Sequence, residues 1–169
     1  MTRPEPNANR YDLGENDFIV SKTDLQGKIT YCNQIFMKLA KYSEEELIGA
    51  PHSIIRHPDM PKIVFKLLWD RIQNKEEIFA YVKNLSKDGG YYWVFANVTA
   101  SLDINGNIVG YYSVRRKPNN EAVEVISGVY EKLLDLERSG GMNASGKFLT
   151  DFLNEKGVSY DELISSLQG

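Results

Sequence analysis

Between residues 78 and 116 the sequence alternates strand-like runs with tight-turn signals, and that pattern leaves few folds open. The run Ile78–Leu85 leads into Lys87-Asp88-Gly89-Gly90, a second run over 91–100 leads into Asn105-Gly106, and a third covers Ile108–Arg116. Asp-Gly and Asn-Gly suit hairpin turns, because the central positions need positive φ and these residues tolerate it. Three antiparallel strands in a meander are expected. Successive strand side chains point to opposite faces, so Trp93, Phe95, Asn97 and Thr99 share one face of the middle strand. Tyr92, Val94, Ala96 and Val98 share the other. Both faces are bulky, so helices should cover one side of the sheet and a partner or tail the other.

Upstream, Phe18-Ile19-Val20 and Ile29-Thr30-Tyr31-Cys32 flank Asp24-Leu25-Gln26-Gly27, which reads as another hairpin. Asn33 is placed to cap a helix carrying Ile35, Phe36, Leu39 and Ala40 at helical spacing. Ser43-Glu44-Glu45-Glu46 has capping-box form, and Gly49 stops that short helix. The stretch Ile54-Ile55-Arg56-His57-Pro58-Asp59-Met60-Pro61 then holds a guanidinium, an imidazole and a carboxylate between two prolines. It predicts a polar bend opening a helix, with Asp59 as N-cap, Pro61 in the first turn and an apolar body over 63–72. Three polar side chains at a helix start either grip a phosphate-bearing ligand or cap the helix without one.

These elements predict an α+β domain on a five-stranded antiparallel sheet with short helices on one face. The main unit covers 17–117, an N-terminal arm or cap 1–16, and C-terminal helices 118–169. In that extension Ala122, Ile126, Val129, Leu133 and Leu136 form a helical stripe ended by Ser139-Gly140-Gly141. A second helix with Phe148, Leu149, Phe152 and Leu153 stops at Gly157, and Ser159-Tyr160-Asp161-Glu162 opens a third. An amphipathic stripe does not say whose surface it meets: the outer sheet face, a partner or a second copy.

Composition removes several functions. A net charge of −3 with scattered basic residues gives no footprint for nucleic acid. No apolar run approaches the roughly 20 residues of a membrane span, and the N-terminus has no signal-peptide core. Cys32 is the single cysteine and His52 and His57 the two histidines, too few and wrongly spaced for a metal cluster. Neither a nucleophile–base pair nor a Gly-rich phosphate loop is present, so an enzyme is not expected. A cytoplasmic protein is the default.

The chain resembles the PAS sensor family over roughly 17–117. More narrowly, it resembles the flavin-binding PAS domain of energy-taxis (aerotaxis) receptors of the Aer type. The residues that carry this are Thr23-Asp24, Ile29-Thr30 with Asn33, Gly49-Ala50-Pro51-His52, Ile55-Arg56-His57-Pro58-Asp59-Met60-Pro61, Trp69, Val82-Lys83-Asn84, Tyr92-Trp93-Val94 and Ala96-Asn97. Ending without a membrane span or signalling coiled coil, the chain looks most like the stand-alone CetB-type flavoprotein of two-protein receptors. The resemblance implies FAD in a cavity between helices and inner sheet face, with Asn33, His52, Arg56, His57, Asp59, Trp69, Asn84, Trp93 and Asn97 as candidate contacts. Seven also have a structural role open to them: caps for Asn33 and Arg56, mutual bonding for His57 and Asp59, a hydrogen bond for His52, and core for Trp69 and Trp93. Asn84 and Asn97, disfavoured in strands, are candidates for the polar edge of the flavin ring. Related domains have a tryptophan where this chain has Ile78, so a stacking partner is either missing or supplied by Phe79. A photochemical adduct lacks its thiol, and a haem would have to use His52 or His57.

The function so implied is a redox sensor that passes the state of its FAD, by protein contact, to a separate membrane-bound chemotaxis transducer. That partner would recruit it to the inner face of the membrane, and homodimers through the PAS unit or the C-terminal helices are compatible. Two alternatives stand beside it: an adaptor module without a redox cofactor, and a haem-based gas sensor.

Overall fold

The computed structural model describes residues 3–169. Its five strands are β1 (Phe18–Thr23), β2 (Ile29–Cys32), β3 (Ile78–Leu85), β4 (Tyr91–Leu102) and β5 (Ile108–Arg116), in the spatial order β2-β1-β5-β4-β3 with every neighbour antiparallel. The expected α+β architecture is present. The first and last strands lie side by side at the centre, with Ile19 opposite Arg115 and Ser21 opposite Ser113.

Between β2 and β3 come α1 (Gln34–Ala40), α2 (Glu44–Leu47), a 3-10 turn (His52–Ile55) and α3 (Lys62–Gln73). Asn33 caps α1 by accepting from the Phe36 amide, and Ser43 and Glu46 close the capping box of α2. The start of α3 differs from expectation. Its N-cap is Pro61, which offers no side-chain acceptor, while Asp59 lies two residues earlier and pairs with Lys83 instead. Two prolines within four residues hold the chain extended at Pro61, so the helix cannot begin at the carboxylate.

The outer sheet face is covered by α4 (Asn120–Lys156) and α5 (Tyr160–Gln168). The axis of α4 breaks at Gly141 (φ 66, ψ −163), a conformation open essentially to glycine alone. Ahead of the break Ala122, Val123, Ile126, Tyr130 and Leu133 are buried in the main core. Tyr130 stacks on Trp93 with ring centres 6.1 Å apart, and its hydroxyl donates to the Tyr81 carbonyl at 2.6 Å. Tyr160 donates to the Phe79 carbonyl, and Gln168 accepts from the Tyr81 hydroxyl. Of the occupants left open for the amphipathic stripe, the chain's own sheet takes this face.

The segment before β1 lies along the β3–β4 hairpin through Asn7 to Gly89 and Tyr11 to Tyr91 backbone bonds. Gly90 is required there, since a Cβ would collide with the Tyr11 ring. No helix among the described residues is long and apolar enough to cross a membrane.

Candidate functional site

The inner sheet face does not close on the helices above it. Small Ala80 and Ala96 sit opposite one another in the β3–β4 ladder, and a cavity of about 340 Å³ opens between the sheet, the 3-10 turn and α3. Val82, Asn84, Ala96, Val98, Tyr111, Ser113 and Arg115 form its floor, with Ser21 and Thr23 from β1. Ile55, Arg56, Phe65, Leu68, Trp69 and Ile72 form its roof, with His52 at one side. The exposed Gln26, Pro51, Ser53 and Trp69 mark the side open to solvent.

Charge on this wall is one-sided. Arg56 and Arg115 both line it, and no carboxylate does among the described residues. Arg115 is 2% exposed and donates to Ser21 Oγ at 2.7 Å, with its guanidinium 4.5 Å from the Phe36 ring centre. Burial brings its pKa down from 12.5 to about 10. Arg56 lies over the Phe65 ring at 3.7 Å, and burial, then the charge of Arg3, lowers its pKa.

Ser21 joins this cation to an imidazole. Arg115 can only donate, so the Ser21 hydroxyl accepts from it, and the same hydroxyl pairs with His52 Nε2 3.1 Å away. His52 stands as a neutral imidazole. Burial, then the charges of Arg115 and Arg56, drives its pKa down to about 3.

Among the described residues four buried side-chain atoms lack a hydrogen-bond partner: Arg56 Nε, Asn84 Nδ2, Tyr92 Oη and Arg115 Nε. All four belong to one neighbourhood: an isolated antiparallel backbone bridge sets Arg56 beside Asn84, Asn84 is opposite Tyr92 in the ladder, and Arg115 lines the same cavity as Arg56 and Asn84. Leaving a buried donor unpaired costs on the order of 1–3 kcal/mol. Such a cluster suits a ligand that brings acceptors and negative charge.

Of the residues singled out by sequence, His52, Arg56, Trp69 and Asn84 line the cavity. The other five lie elsewhere. Asn33 commits its amide to backbone, accepting from Val20 and Phe36 and donating to Phe18. His57 is buried behind the bend, where its Nδ1 accepts from the Asp59 amide, and burial lowers its pKa to about 4. Asp59 is exposed and bonds Lys83 Nζ at 2.8 Å. Trp93 and Asn97 project from the outer face, the first onto Tyr130 and the second to Glu77. Strand parity decides the last two: both are odd-numbered positions of β4, while even-numbered Ala96 and Val98 face the cavity. Phe79, the candidate replacement for the absent tryptophan, also faces outward and stacks on Phe95. Ser21, Tyr111, Ser113 and Arg115 were missed. The adjacent pair Arg115-Arg116 in a strand held the signal, since one of two consecutive residues must face inward.

Known proteins bear on this geometry. The profile of the PAS fold matches residues 29–115, which includes most of the sheet and the whole roof of the cavity. The chain belongs to the PAS fold family. Within this family it is 37% identical over 121 residues to the aerotaxis receptor of Escherichia coli (strain K12), covering 72% of this chain and 24% of the receptor. It is 25% identical over 116 residues to the nitrogen fixation regulatory protein of Klebsiella pneumoniae, covering 69% and 23%. The chain thus spans about a quarter of the length of these relatives. Among solved structures, the dark state of the blue-light photoreceptor Aureochrome1 LOV superposes with a TM-score of 0.58 at 24% identity, over 65% of this chain and 82% of that one. The latter likeness shows the fold.

Proposed function

We propose that this PAS chain is a flavin-binding redox sensor of energy taxis, with FAD as its cofactor. The observation that carries the reading is the acid-free cavity wall, where Arg56 Nε, Asn84 Nδ2 and Arg115 Nε are buried donors without acceptors. The pyrimidine edge of a flavin offers carbonyl and imino groups that suit such donors, and the flanking Val82, Val98, Leu68 and Ile72 suit its flat ring. A cavity of about 340 Å³ is small among ligand sites, so the nucleotide end of FAD would extend toward Trp69 and Gln26 on the open side. Similarity to the aerotaxis receptor supports taxis as the setting.

A flavin held here supplies a reversible electron acceptor whose polar edge gains electron density or a proton on reduction. Arg56 and Arg115, without carboxylates to quench them, respond to that change at close range and low effective dielectric. Asn84 can present either its amide oxygen or its NH2 to the ligand, and a rotation between the two is felt along β3. Tyr81 and Lys83 on the opposite face of the same strand contact Gln168 and Asp59. The output would be a difference in affinity for a separate membrane-bound chemotaxis transducer between two states of this strand. On this reading the chain works in the cytoplasm, held at the membrane by that partner.

A haem would need to take His52 Nε2 from Ser21, or draw in His57 from behind the bend, so the site favours flavin. The visible spectrum of gently purified protein decides. A flavin double band, with FAD released on denaturation, is expected, and Arg56→Ala should lower its retention. Colourless protein that takes up no added FAD refutes the reading and leaves the adaptor role; a Soret band replaces flavin with haem.

A further inference from the structure

The roof helix α3 has no cap of its own. Pro61 gives none, so its first N–H groups would be left to solvent, yet two of them are satisfied from a distant part of the chain. Glu137, near the end of the first half of α4, accepts from the Lys62 amide at 2.8 Å and the Ile63 amide at 3.0 Å. The same carboxylate accepts from Ser145 Oγ at 2.8 Å, across the break at Gly141. Ser145 is fully buried, and its neighbour Gly146 packs against Ile63 so closely that a Cβ would lie 3.3 Å from Ile63 Cδ1. One side chain therefore joins three pieces: the cavity roof, the first half of α4 and the second half.

We propose that Glu137 is a positioning residue for the cavity, tying the start of α3 to the C-terminal helices so that filling the cavity and docking the second half of α4 favour one another. The proposal deepens the flavin reading by naming the route from site to extension. Its physical basis is that α3 carries Phe65, Leu68, Trp69 and Ile72 into the cavity, so a ligand that fixes those side chains fixes the helix they sit on. A fixed helix start holds its amides at the carboxylate, with the macrodipole reinforcing the contact. Coupling of this kind is reciprocal: a docked extension raises ligand affinity by the factor that ligand raises docking.

Amide hydrogen exchange on the full chain, wild type and Glu137→Gln, with and without saturating FAD, tests this. Glutamine keeps the shape but loses the charge and one of the two accepting oxygens, so the tie is weakened while the fold should survive. In the wild type FAD should slow exchange over 142–156, none of which lines the cavity, and in Glu137→Gln that slowing should vanish while FAD still binds. Without ligand the variant should exchange faster at Lys62, at Ile63 and over 142–156 together, by roughly tenfold, or about 1.4 kcal/mol. Core amides of β4 should not change. An undiminished FAD effect over 142–156 in the variant overturns the proposal, as does acceleration at one end of the link alone or throughout β4. Wild-type protein that takes up no FAD refutes the flavin reading instead, and the ligand-free comparison then decides the role of Glu137 by itself.

Discussion

Replacing Arg115 by methionine should move stability and ligand affinity in opposite directions. The guanidinium is buried with one hydrogen bond, to Ser21, and its pKa falls from 12.5 to about 10. At about 1.36 kcal/mol per tenfold change in proton affinity, keeping it charged costs roughly 3 kcal/mol. Its Nε is also unpaired, a further cost of about 1–3 kcal/mol that overlaps the first. Against this stand the Ser21 bond and the contact with Phe36, together about 2 kcal/mol. Methionine fills much of the same volume between Ile19 and Ala96, and Ser21 keeps His52 as a partner. Swaps of a buried charge for a well-packed apolar side chain are often neutral or stabilising. Ligand-free Arg115→Met should therefore gain about 1–2 kcal/mol, read from the urea midpoint at constant m-value. Flavin affinity should fall ten- to a hundredfold, as loss of one charge-assisted bond of about 1.5–3 kcal/mol implies, read by fluorescence titration. A ligand-free variant less stable than wild type by 1 kcal/mol or more, or one that binds flavin undiminished, would refute the reasoning.

Acid should destabilise the fold before carboxylates titrate. The His52 and His57 pKa values are about 3 and about 4 in the fold, against 6.5 usually, so the unfolded chain binds more protons as pH falls below about 6.5. Stability is then full above that pH and lost on the way down to about 4 for His57 and about 3 for His52, by up to about 1.4 kcal/mol per pH unit and histidine. Asp59, Asp88, Asp103 and Glu46 are all held below their usual range and add loss only further down. Urea midpoints of His52→Gln between pH 7 and 5 should show about half the wild-type slope; an unchanged slope would contradict the buried neutral imidazole. Asn84→Ala should weaken flavin binding at least tenfold while Asn97→Ala changes it less than twofold, since only the first lines the cavity. Equal losses in a parallel titration would show that the cavity face has been misjudged.

How much of this was legible in sequence depended on the range of the interaction. The β3–β4–β5 meander, the Asn33 cap and the capping boxes at Ser43 and Ser159 involve residues within a turn of one another, and the structure has them all. His52, Arg56, Trp69 and Asn84 were found because an unusual motif marked them. Asn97 and Trp93 were misplaced because a strand with two apolar faces does not say which one the helices cover. That choice depends on small residues elsewhere, such as Ala80 opposite Ala96, which leave the void on one side.

The sequence by itself determined which segments pair and turn, since those are local matters of φ preference, alternation and capping. Tertiary structure alone decided the chemistry of the cavity. Ser21, His52 and Arg115 meet only because the first and last strands pair at the centre of the sheet. Likewise Glu137, rather than nearby Asp59, meets the start of α3, because prolines carry the near carboxylate out toward Lys83 while packing of α4 brings the far one in. Contacts spanning 31 to 94 residues depend on the folded path of the chain, which no local pattern records.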